Sequence, residues 1–300
     1  MQGSHLCEQL IEMGHEVVGI DDYSRGTFEA EYIHRLDLSN GSYHFNFSGY
    51  DTVLHLAAQV WGVEVARSHN WEMLRHNMQV DLNVLNACVE AGVKRVIYPS
   101  TACVYPVRFQ DRWDALLLEE MVWQIPKPES GYGWAKLMGE VQVRHLPTEW
   151  TIFRFFNVYG DGENAGAGSH VIPELIRKVL AAPADGEMEV YGTGEQGRTF
   201  LHVDDAVRAY IAALDCEPGV VMNCGSPDPI KIKDLAALIC EIDGRGVKPV
   251  FNSEKPTGVM GRTPDIETAK DVLGWEPQIS LAEGVRRTYD YYKANVGAKT

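Results

Sequence analysis

The run Arg95-Val-Ile-Tyr-Pro-Ser100 is apolar and has the length of a buried strand. One helical stretch, at about residues 71–92, precedes it, and another, which contains Tyr132, follows it. Two further apolar runs, at 51–58 and 150–155, lie outside these helices. Strands that alternate with helices predict a parallel sheet covered on both faces. The sequence therefore predicts an α/β fold with a doubly wound, Rossmann-like parallel sheet.

The N-terminal part departs from the usual order of such a sheet. A helical pattern opens the chain and leads into the apolar run Glu16-Val-Val-Gly-Ile20. A dinucleotide-binding sheet normally begins with a strand and a GxxGxxG turn, whose backbone amides approach the pyrophosphate. Only Gly3 corresponds to that turn. Since the absent strand is central, we expect an open slot in the core and unpaired backbone groups on both of its neighbours.

Charge and composition exclude several kinds of partner. The 300 residues carry a formal net charge of −15 at pH 7. Nucleic acids and anionic membranes bind clustered Lys and Arg, so neither is expected as a partner. No apolar run approaches the roughly 18 residues that span a bilayer, and no signal-peptide pattern is seen, which predicts a cytoplasmic protein. The 6 scattered cysteines predict neither disulfides nor a metal site.

The organisation changes near residue 160. Beyond that point the strands shorten, and Gly, Pro and Asp become frequent. We predict a dinucleotide-binding domain at 1–160 and a smaller α/β substrate-binding domain at 161–300, interleaved with the first.

Tyr132 and Lys136 are the first candidate catalytic residues. A spacing of four places both side chains on one face of a helix. An ammonium close to a phenol lowers the pKa of the tyrosine, which suits a general base and acid. The same spacing also occurs where a surface tyrosine lies beside a solvated lysine.

Acidic residues follow two of the predicted strands. Asp21, with Asp22 beside it, lies where a carboxylate binds the adenosine ribose and disfavours the additional phosphate of NADP. Asp37 is placed to accept the adenine amino group, with the amide of Leu38 beside it. Each of these acids is equally compatible with a simple turn.

Nine segments occur in an order that is typical of one family. They are Gly3-Ser-His-Leu, Ile20-Asp-Asp-Tyr-Ser, His55-Leu-Ala-Ala, Val93-Lys-Arg-Val-Ile-Tyr, Ser100-Thr-Ala-Cys-Val-Tyr-Pro106, Tyr132-Gly-Trp-Ala-Lys136, Arg154-Phe-Phe-Asn-Val-Tyr-Gly160, Gly197-Arg-Thr-Phe-Leu-His-Val-Asp-Asp205 and Leu273-Gly-Trp275. Over essentially its whole length the chain resembles the extended short-chain dehydrogenases/reductases, the branch of NAD-dependent nucleotide-sugar epimerases, dehydratases and reductases.

The resemblance implies a role for each matching residue. Thr101 would bind the reacting sugar oxygen, Tyr132 would exchange its proton, and Lys136 would bind the nicotinamide ribose. The implied NAD contacts are Gly3, Asp21, Asp22, Asp37, Leu38, Ala57, Ala58, Asn77 and Ser100. The implied contacts to the diphosphate of a nucleotide sugar are Asn157, Arg198 and Arg262, with Lys178 and Lys255 nearby.

The residues after Thr101 bear on the reaction. The family's dehydratases carry Asp-Glu there, whereas this chain has Ala102 and Cys103. The stretch resembles that of the GDP-mannose 3,5-epimerases and GDP-fucose synthases, in which a cysteine exchanges a proton beside a carbonyl, and His170 matches the partner acid of the latter. We therefore expect an NAD-dependent epimerase that acts through a transient 4-keto sugar, with C3/C5 proton exchange by Cys103 and His170. Packing for the cysteine and capping for the histidine are the alternatives.

Two other functions remain open at this level. One is an NADPH-dependent 4-keto-sugar epimerase-reductase, in which Arg25 would meet the 2′-phosphate. The other is a non-catalytic fragment or relative that cannot bind the cofactor. By analogy with the family we also expect a homodimer formed by the helix at 71–92 and the helix with Tyr132. Its candidate apolar contacts are Met78, Leu82, Leu85 and Leu137, which serve equally well in a core.

Overall fold

A computed structural model describes residues 1–24, 30–41, 45–62, 68–163 and 169–296. Helices alternate with mostly parallel strands in this part of the chain. The predicted α/β class is therefore confirmed. Arg25 lies outside the described residues.

The secondary structure follows the predicted alternation. The strands are β1 Gly19–Asp21, β2 Ile33–Arg35, β3 Thr52–Leu54, β4 Arg95–Thr101, β5 Leu116–Leu117, β6 Glu149–Phe155, β7 Val158–Tyr159, β8 Glu187–Tyr191, β9 Gly197–Arg198, β10 Leu201–His202, β11 Val220–Cys224, β12 Ile230–Lys231, β13 Lys248–Asn252 and β14 Thr263–Pro264. The α-helices are α1 Gln2–Glu12, α2 Asn70–Ala91, α3 Met121–Gln124, α4 Gly131–Arg144, α5 Val171–Ala181, α6 Val203–Ala212, α7 Ile232–Asp243, α8 Glu267–Leu273 and α9 Leu281–Val296. Short 3-10 turns occupy Ala102–Val104 and Val107–Phe109.

The centre of the fold is a four-stranded parallel sheet in the order β11-β6-β4-β3. Strands β4 and β6 pair over their full lengths, from Arg95 opposite Glu149 to Thr101 opposite Phe155. Side chains on both faces of β4 are buried, as expected where helices cover both faces of a parallel sheet. The run at 95–100 is thus the buried strand that its composition predicts.

The slot that the sequence predicts lies between β1 and β3. Strand β1 pairs with β2 in a separate two-stranded sheet, and within the described residues no ladder joins it to β3. Leu6 and Leu10 of α1 and Val53 of β3 are among the residues that line one large cavity. In the part of the chain that the structure describes, β1 and β3 therefore each have one unpaired edge.

The C-terminal half is built from shorter strands. Strand β8 pairs in parallel with β13, and α5, α7 and α9 contact one another beside them. Strand β11 instead joins the central sheet beside β6, so this half contributes directly to the first. None of the described helices is both long and apolar enough to cross a membrane.

Candidate active site

The start of α4 is locked against the end of β4. The Ser130 hydroxyl caps the helix by accepting a hydrogen bond from the Gly133 amide at 3.3 Å. A Cβ atom on Gly133 would lie 2.3 Å from the Cys103 carbonyl oxygen, and one on Gly131 would lie 2.1 Å from the carbonyl oxygen of Asn70. Only glycine permits these approaches. They place Tyr132 beside the segment that contains Thr101 and Cys103.

Tyr132 and Thr101 lie together at this junction. Thr101 is the last residue of β4, and its hydroxyl accepts a hydrogen bond from the Cys103 amide at 3.2 Å. Burial raises the pKa of Tyr132, nearby Cys103 and Asp81 raise it further, and the hydrogen bond with Thr101 opposes them. The expectation that Lys136 lowers this pKa is therefore wrong for this structure, because burial and neighbouring acidic groups dominate.

Lys136 is buried one helical turn after Tyr132. Its Nζ lies 3.9 Å from the centroid of the Tyr98 ring, which is a favourable cation–π distance. Burial lowers the pKa of Lys136, while the charges of Asp81 and Glu140 raise it. The surface alternative for this lysine is thereby excluded.

Cys103 contacts a buried guanidinium. Arg262 Nη1 donates to Cys103 Sγ at 3.4 Å, and its Nη2 donates to Glu129 Oε2 at 2.7 Å. The Arg262 Nε donates to Gln110 Oε1 at 2.7 Å, so the whole fork is engaged. Cys103 is consequently a half-buried thiol beside a fixed positive charge, not a packing residue of an apolar core.

Cys103, Arg262 and a second guanidinium, that of Arg198, line one large cavity. Arg198 donates to the backbone oxygens of Gly197 at 2.6 Å and Val259 at 2.8 Å. Burial lowers the pKa of Arg198 to about 10, and the nearby charge of Arg262 contributes to this shift. Two cations thus meet in the interior of an acidic protein.

The remaining expected substrate residues are more dispersed. Asn157 lines the cavity and donates to the Thr199 carbonyl at 2.8 Å. Lys178 also lines it and lies 4.0 Å from the Tyr191 ring centroid. Lys255 does not belong to the cavity wall, although its Nζ lies 5.2 Å from the same ring.

His170 precedes α5 and lines the cavity. Its side chain forms no capping hydrogen bond to α5, which argues against the capping alternative. It contacts Glu163 instead and is 49% exposed, so it is accessible to a ligand. Cys103 and His170 therefore lie in the walls of one cavity.

The predicted cofactor residues share this cavity, which has a volume of about 2090 Å³. All of them line it except Asn77; the lining members are Gly3, Asp21, Asp22, Asp37, Leu38, Ala57, Ala58, Ser100, Tyr132 and Lys136. Asn77 instead hydrogen-bonds to the backbone of Gln59: it accepts from the Gln59 amide at 2.7 Å and donates to the Gln59 carbonyl at 2.9 Å. It thereby holds the segment after β3 that carries the two alanines.

The acids near the adenosine end also stabilise turns. Asp21 Oδ1 accepts from the Tyr23 amide at 2.7 Å, and Asp22 Oδ1 accepts from the Ser24 amide at 2.9 Å. A hydrogen bond from the Ser39 hydroxyl lowers the pKa of Asp37, which keeps it ionised. Turn formation and cavity lining therefore coexist in all three.

These residues fit a dinucleotide. No side chain caps the N-terminus of α1, and a Cβ on Gly3 would meet nothing within 4 Å, so this helix start is open to the cavity. A helix N-terminus favours an anion such as a pyrophosphate. Asp21, Tyr132 and Lys136 line the same cavity as this helix start.

A family model described as the NAD dependent epimerase/dehydratase family matches residues 1–225. The chain belongs to this family. The predicted resemblance and the predicted cofactor, NAD, are thereby confirmed. As a member of this family the protein is an enzyme.

Individual relatives of this family member carry different activities in their names. GDP-mannose 3,5-epimerase 1 of Oryza sativa subsp. japonica is 28% identical over 304 residues, which cover 98% of this chain and 79% of the rice protein. GDP-L-fucose synthase 1 of Arabidopsis thaliana is 32% identical over 254 residues, or 81% and 77% of the two chains. The UDP-glucose 4-epimerase of Thermotoga maritima, solved with UDP-glucose, superimposes with a TM-score of 0.85 at 27% identity and covers 99% of this chain and 96% of its own.

Several residues of the site were missed by sequence reasoning. Glu129 and Gln110 hold Arg262, and a carboxylate one residue before the Ser130 cap was the only local signal for the first. Asp81, beneath Lys136, gave no local signal beyond an acid on the inner face of a helix. Contacts between residues far apart in the chain define these partners, so no spacing rule finds them.

Proposed function

We propose that this family member is an NAD-dependent nucleotide-sugar epimerase that acts through a transient 4-keto sugar, with proton exchange at C3 or C5 by Cys103 and His170. The contact between Arg262 Nη1 and Cys103 Sγ at 3.4 Å carries the proposal. A guanidinium held against a thiol faces the negative charge that develops when the sulfur gives up its proton. A cysteine with only a packing role has no need of such a neighbour.

The first part of the reaction belongs to Thr101, Tyr132 and Lys136. Thr101 binds the C4 oxygen, and Tyr132 removes and later returns its proton. NAD held in this cavity would supply reversible hydride acceptance at C4, so that the cycle would have no net redox change. Lys136 holds the nicotinamide ribose with its ammonium. Asp21 lines the cavity; as the ligand of the adenosine ribose it would repel a 2′-phosphate, which favours NAD over NADP.

The second part belongs to Cys103 and His170. A ketone at C4 makes the protons at C3 and C5 acidic enough for side-chain bases to exchange them. Cys103 follows β4 beside Tyr132, and His170 directly precedes α5; both side chains line the same cavity. Exchange needs one group to remove a proton and another to supply one, which two residues on different elements can do.

The basic side chains support a diphosphate-bearing substrate. We assign its phosphates to Arg198, Asn157 and Lys178, which line the cavity, with Arg262 at the sugar end beside Cys103. Bidentate guanidinium groups suit phosphate oxygens. Lys255 would act indirectly, through the Tyr191 ring that it shares with Lys178. Most of these residues lie beyond residue 160, which supports a cofactor part at 1–160 and a substrate part at 161–300.

We also propose a homodimer in which α2 and α4 pair with their counterparts. The two helices contact each other. Leu85 and Leu137 are buried in the core of this chain, so these two expected interface residues are excluded. Leu82 at 43% exposure, Trp71 at 65% and the half-buried Met78 remain available. Light scattering of the wild type and of Leu82→Glu tests this, since a dimer in both would place the interface elsewhere.

A reducing compartment suits the thiol chemistry. All 6 cysteines are free, including Cys103. Cytosolic proteins keep their thiols reduced, so we propose that the protein acts in the cytoplasm.

Incubation of GDP- and UDP-sugars with the protein in heavy water tests the reaction. We expect an epimerised product that carries deuterium at C3 or C5 by NMR and mass spectrometry. In the Cys103→Ser variant the rate of deuterium incorporation should fall by at least about 100-fold, as expected when a general acid/base is removed. Cys240→Ser, which removes a thiol from a separate apolar cluster, is the matched control and should exchange normally.

Other outcomes of that experiment identify the alternatives. Epimerisation at C4 without deuterium would remove Cys103 and His170 from the mechanism. Stoichiometric consumption of NADPH with a 4-keto sugar would establish the reductase. A folded protein that binds neither cofactor would be a non-catalytic relative.

A further inference from the structure

A buried polar network lies directly beneath Lys136. Asp81 Oδ1 contacts His55 Nε2 at 2.9 Å, and Asp81 Oδ2 accepts a hydrogen bond from the Tyr98 hydroxyl at 2.7 Å. The Tyr98 ring in turn lies 3.9 Å from Lys136 Nζ. These side chains come from α2, the end of β3, β4 and α4, and none is more than 2% exposed. The proposed reaction uses Lys136 but not the three residues behind it.

A carboxylate buried this deeply requires compensation. Both Asp81 oxygens have a hydrogen-bonding partner. Burial alone would raise the pKa of Asp81, but the charge of Lys136 and the hydrogen bonds from His55 and Tyr98 lower it. Asp81 is therefore an ionised group, and an isolated ion at such depth would be very unfavourable. A positive charge must be its counterpart.

The other carboxylate near Lys136 is already engaged. Glu140 accepts from Arg154 Nε at 2.9 Å and from Arg154 Nη2 at 2.8 Å, and both side chains are fully buried. It also accepts the Ser100 hydroxyl. Within the described residues, Lys136 forms no direct ion pair with either acid. The negative charge not already matched by an arginine is that of Asp81.

Gly139 makes room for this arrangement. A Cβ atom there would lie 1.9 Å from the Tyr98 hydroxyl oxygen and 2.6 Å from Asp81 Oδ2. Glycine inside a helix costs about 1 kcal/mol relative to alanine, so its presence in α4 needs a packing reason. The same helix carries Lys136, which means that it is shaped both to present the ammonium and to admit the Asp81–Tyr98 contact.

We propose that Asp81 is a positioning residue, whose carboxylate, held by His55 and Tyr98, is the counter-charge that keeps the Lys136 ammonium in the active site. This rests on the proposed function only in so far as Lys136 anchors the ribose. The groups that face Lys136 are Asp81 from α2, the Tyr98 ring from β4, and Tyr132 and Glu140 from its own helix, with His55 behind Asp81 and Arg154 behind Glu140.

The direction of the effect follows from these groups. Burial lowers the pKa of Lys136 and the two carboxylates raise it, so removal of the Asp81 charge lowers it further. The ammonium is the useful form. Activity that depends on it is present below the pKa of Lys136 and is lost as pH rises through that value. Without the Asp81 charge, the loss must begin at lower pH.

The decisive measurement is the pH dependence of Lys136 acylation by trace acetic anhydride, read by mass spectrometry on the protein alone. Exposed Lys127 serves as the internal reference. In Asp81→Asn we expect the midpoint for Lys136 to fall by about one unit, which means roughly tenfold more labelling below the midpoint. Glu90→Gln removes an exposed carboxylate from the same helix and should leave the midpoint unchanged. An unchanged midpoint in Asp81→Asn overturns the proposal.

A pH profile of turnover separates positioning from simple stability. In Asp81→Asn the alkaline limb should move to lower pH, so that activity is lost on the alkaline side of the profile and retained on the acid side. An equal loss at every pH would indicate a structural role and would contradict the proposal. If the wild type turns over no nucleotide sugar, the proposed function fails, while the labelling result still decides the role of Asp81.

Tyr98→Phe covers the case in which Asp81→Asn does not fold. This variant keeps the ring beneath Lys136 and removes only the hydroxyl that holds Asp81. The labelling midpoint should move in the same direction by a smaller amount. A wild-type midpoint in folded Tyr98→Phe would then count against the proposal.

Discussion

Strands β4 and β1 come from similar apolar runs but have different fates. Strand β4 extends over seven residues, has a paired neighbour on each edge, and buries most of its side chains. Strand β1 has three residues, a partner on one edge, and no fully buried side chain. An apolar run becomes a long buried strand only where both of its edges are paired, because unpaired backbone groups cannot be taken out of water cheaply.

The same contrast separates the two ends of the cavity. At the catalytic end, complete ion pairs such as Glu140–Arg154 are buried between β4, β6 and α4. At the adenosine end, Asp21 and Asp37 are exposed on short strands and turns. The region around β4, β6 and α4 is therefore held by more buried contacts than the region around Asp21 and Asp37.

Removal of Arg154 should destabilise the region around β4, β6 and α4, which contains the Glu140–Arg154 ion pair. Arg154→Met leaves Glu140 buried without its partner, and we expect the free energy of unfolding to fall by about 3–5 kcal/mol. Urea denaturation followed by circular dichroism measures this. The double variant Arg154→Met/Glu140→Leu should recover much of the loss, since it buries no unpaired charge. A loss below about 1 kcal/mol in the single variant would mean that the pair is not essential to this region.

An added strand that pairs with β1 should raise the free energy of unfolding of the region around this strand. We expect an engineered apolar strand of about six residues with a glycine-rich turn, joined ahead of Met1, to pair with β1 and β3. Each buried aliphatic side chain contributes about 1.5–3 kcal/mol, offset by the ordering of the segment, for a net gain of about 2–4 kcal/mol. The same length of Ser- and Asp-rich sequence is the control. Equal stability and equal NAD affinity of both extended proteins would show that the slot accepts no strand.

The smallest of these effects concerns the choice of cofactor at the adenosine end. Asp21→Asn removes the charge that repels a 2′-phosphate, and the preference for NAD over NADP should fall by about tenfold. Titration of both cofactors measures the ratio of the two dissociation constants. Glu31→Gln removes an exposed carboxylate from the turn before β2 and should leave that ratio unchanged. If both variants lower the ratio alike, overall charge rather than Asp21 sets the preference.

The spacing of apolar residues predicted the helices and strands around β4 well. The stretch at 71–92 became Asn70–Ala91 and the run at 150–155 became Glu149–Phe155, because the period of apolar residues reports helix and strand directly. Tyr132 and Lys136 were found for the same reason, since four residues span one helical turn.

The failures share another cause. The direction of the Tyr132 pKa shift and the position of Lys255 outside the cavity wall both depend on neighbours distant in sequence. The same holds for the choice between core and interface that the sequence left open for Leu85 and Leu137. A helical period shows which residues share a face but not which surface that face meets. The partners of Arg262 and Lys136 belong to the same class of information.

The close approach of Gly133 to the Cys103 carbonyl has a consequence for how this enzyme can change. The contact fixes the backbone of residue 103 against α4 but makes no use of the cysteine side chain. A different side chain at position 103 would therefore lie beside Tyr132 and Arg262 without a change in the backbone. Laboratory evolution of new reactivity is best begun by varying position 103 while Gly131 and Gly133 are kept, since the glycines preserve the backbone contacts and Cys103 is the proposed reactive group.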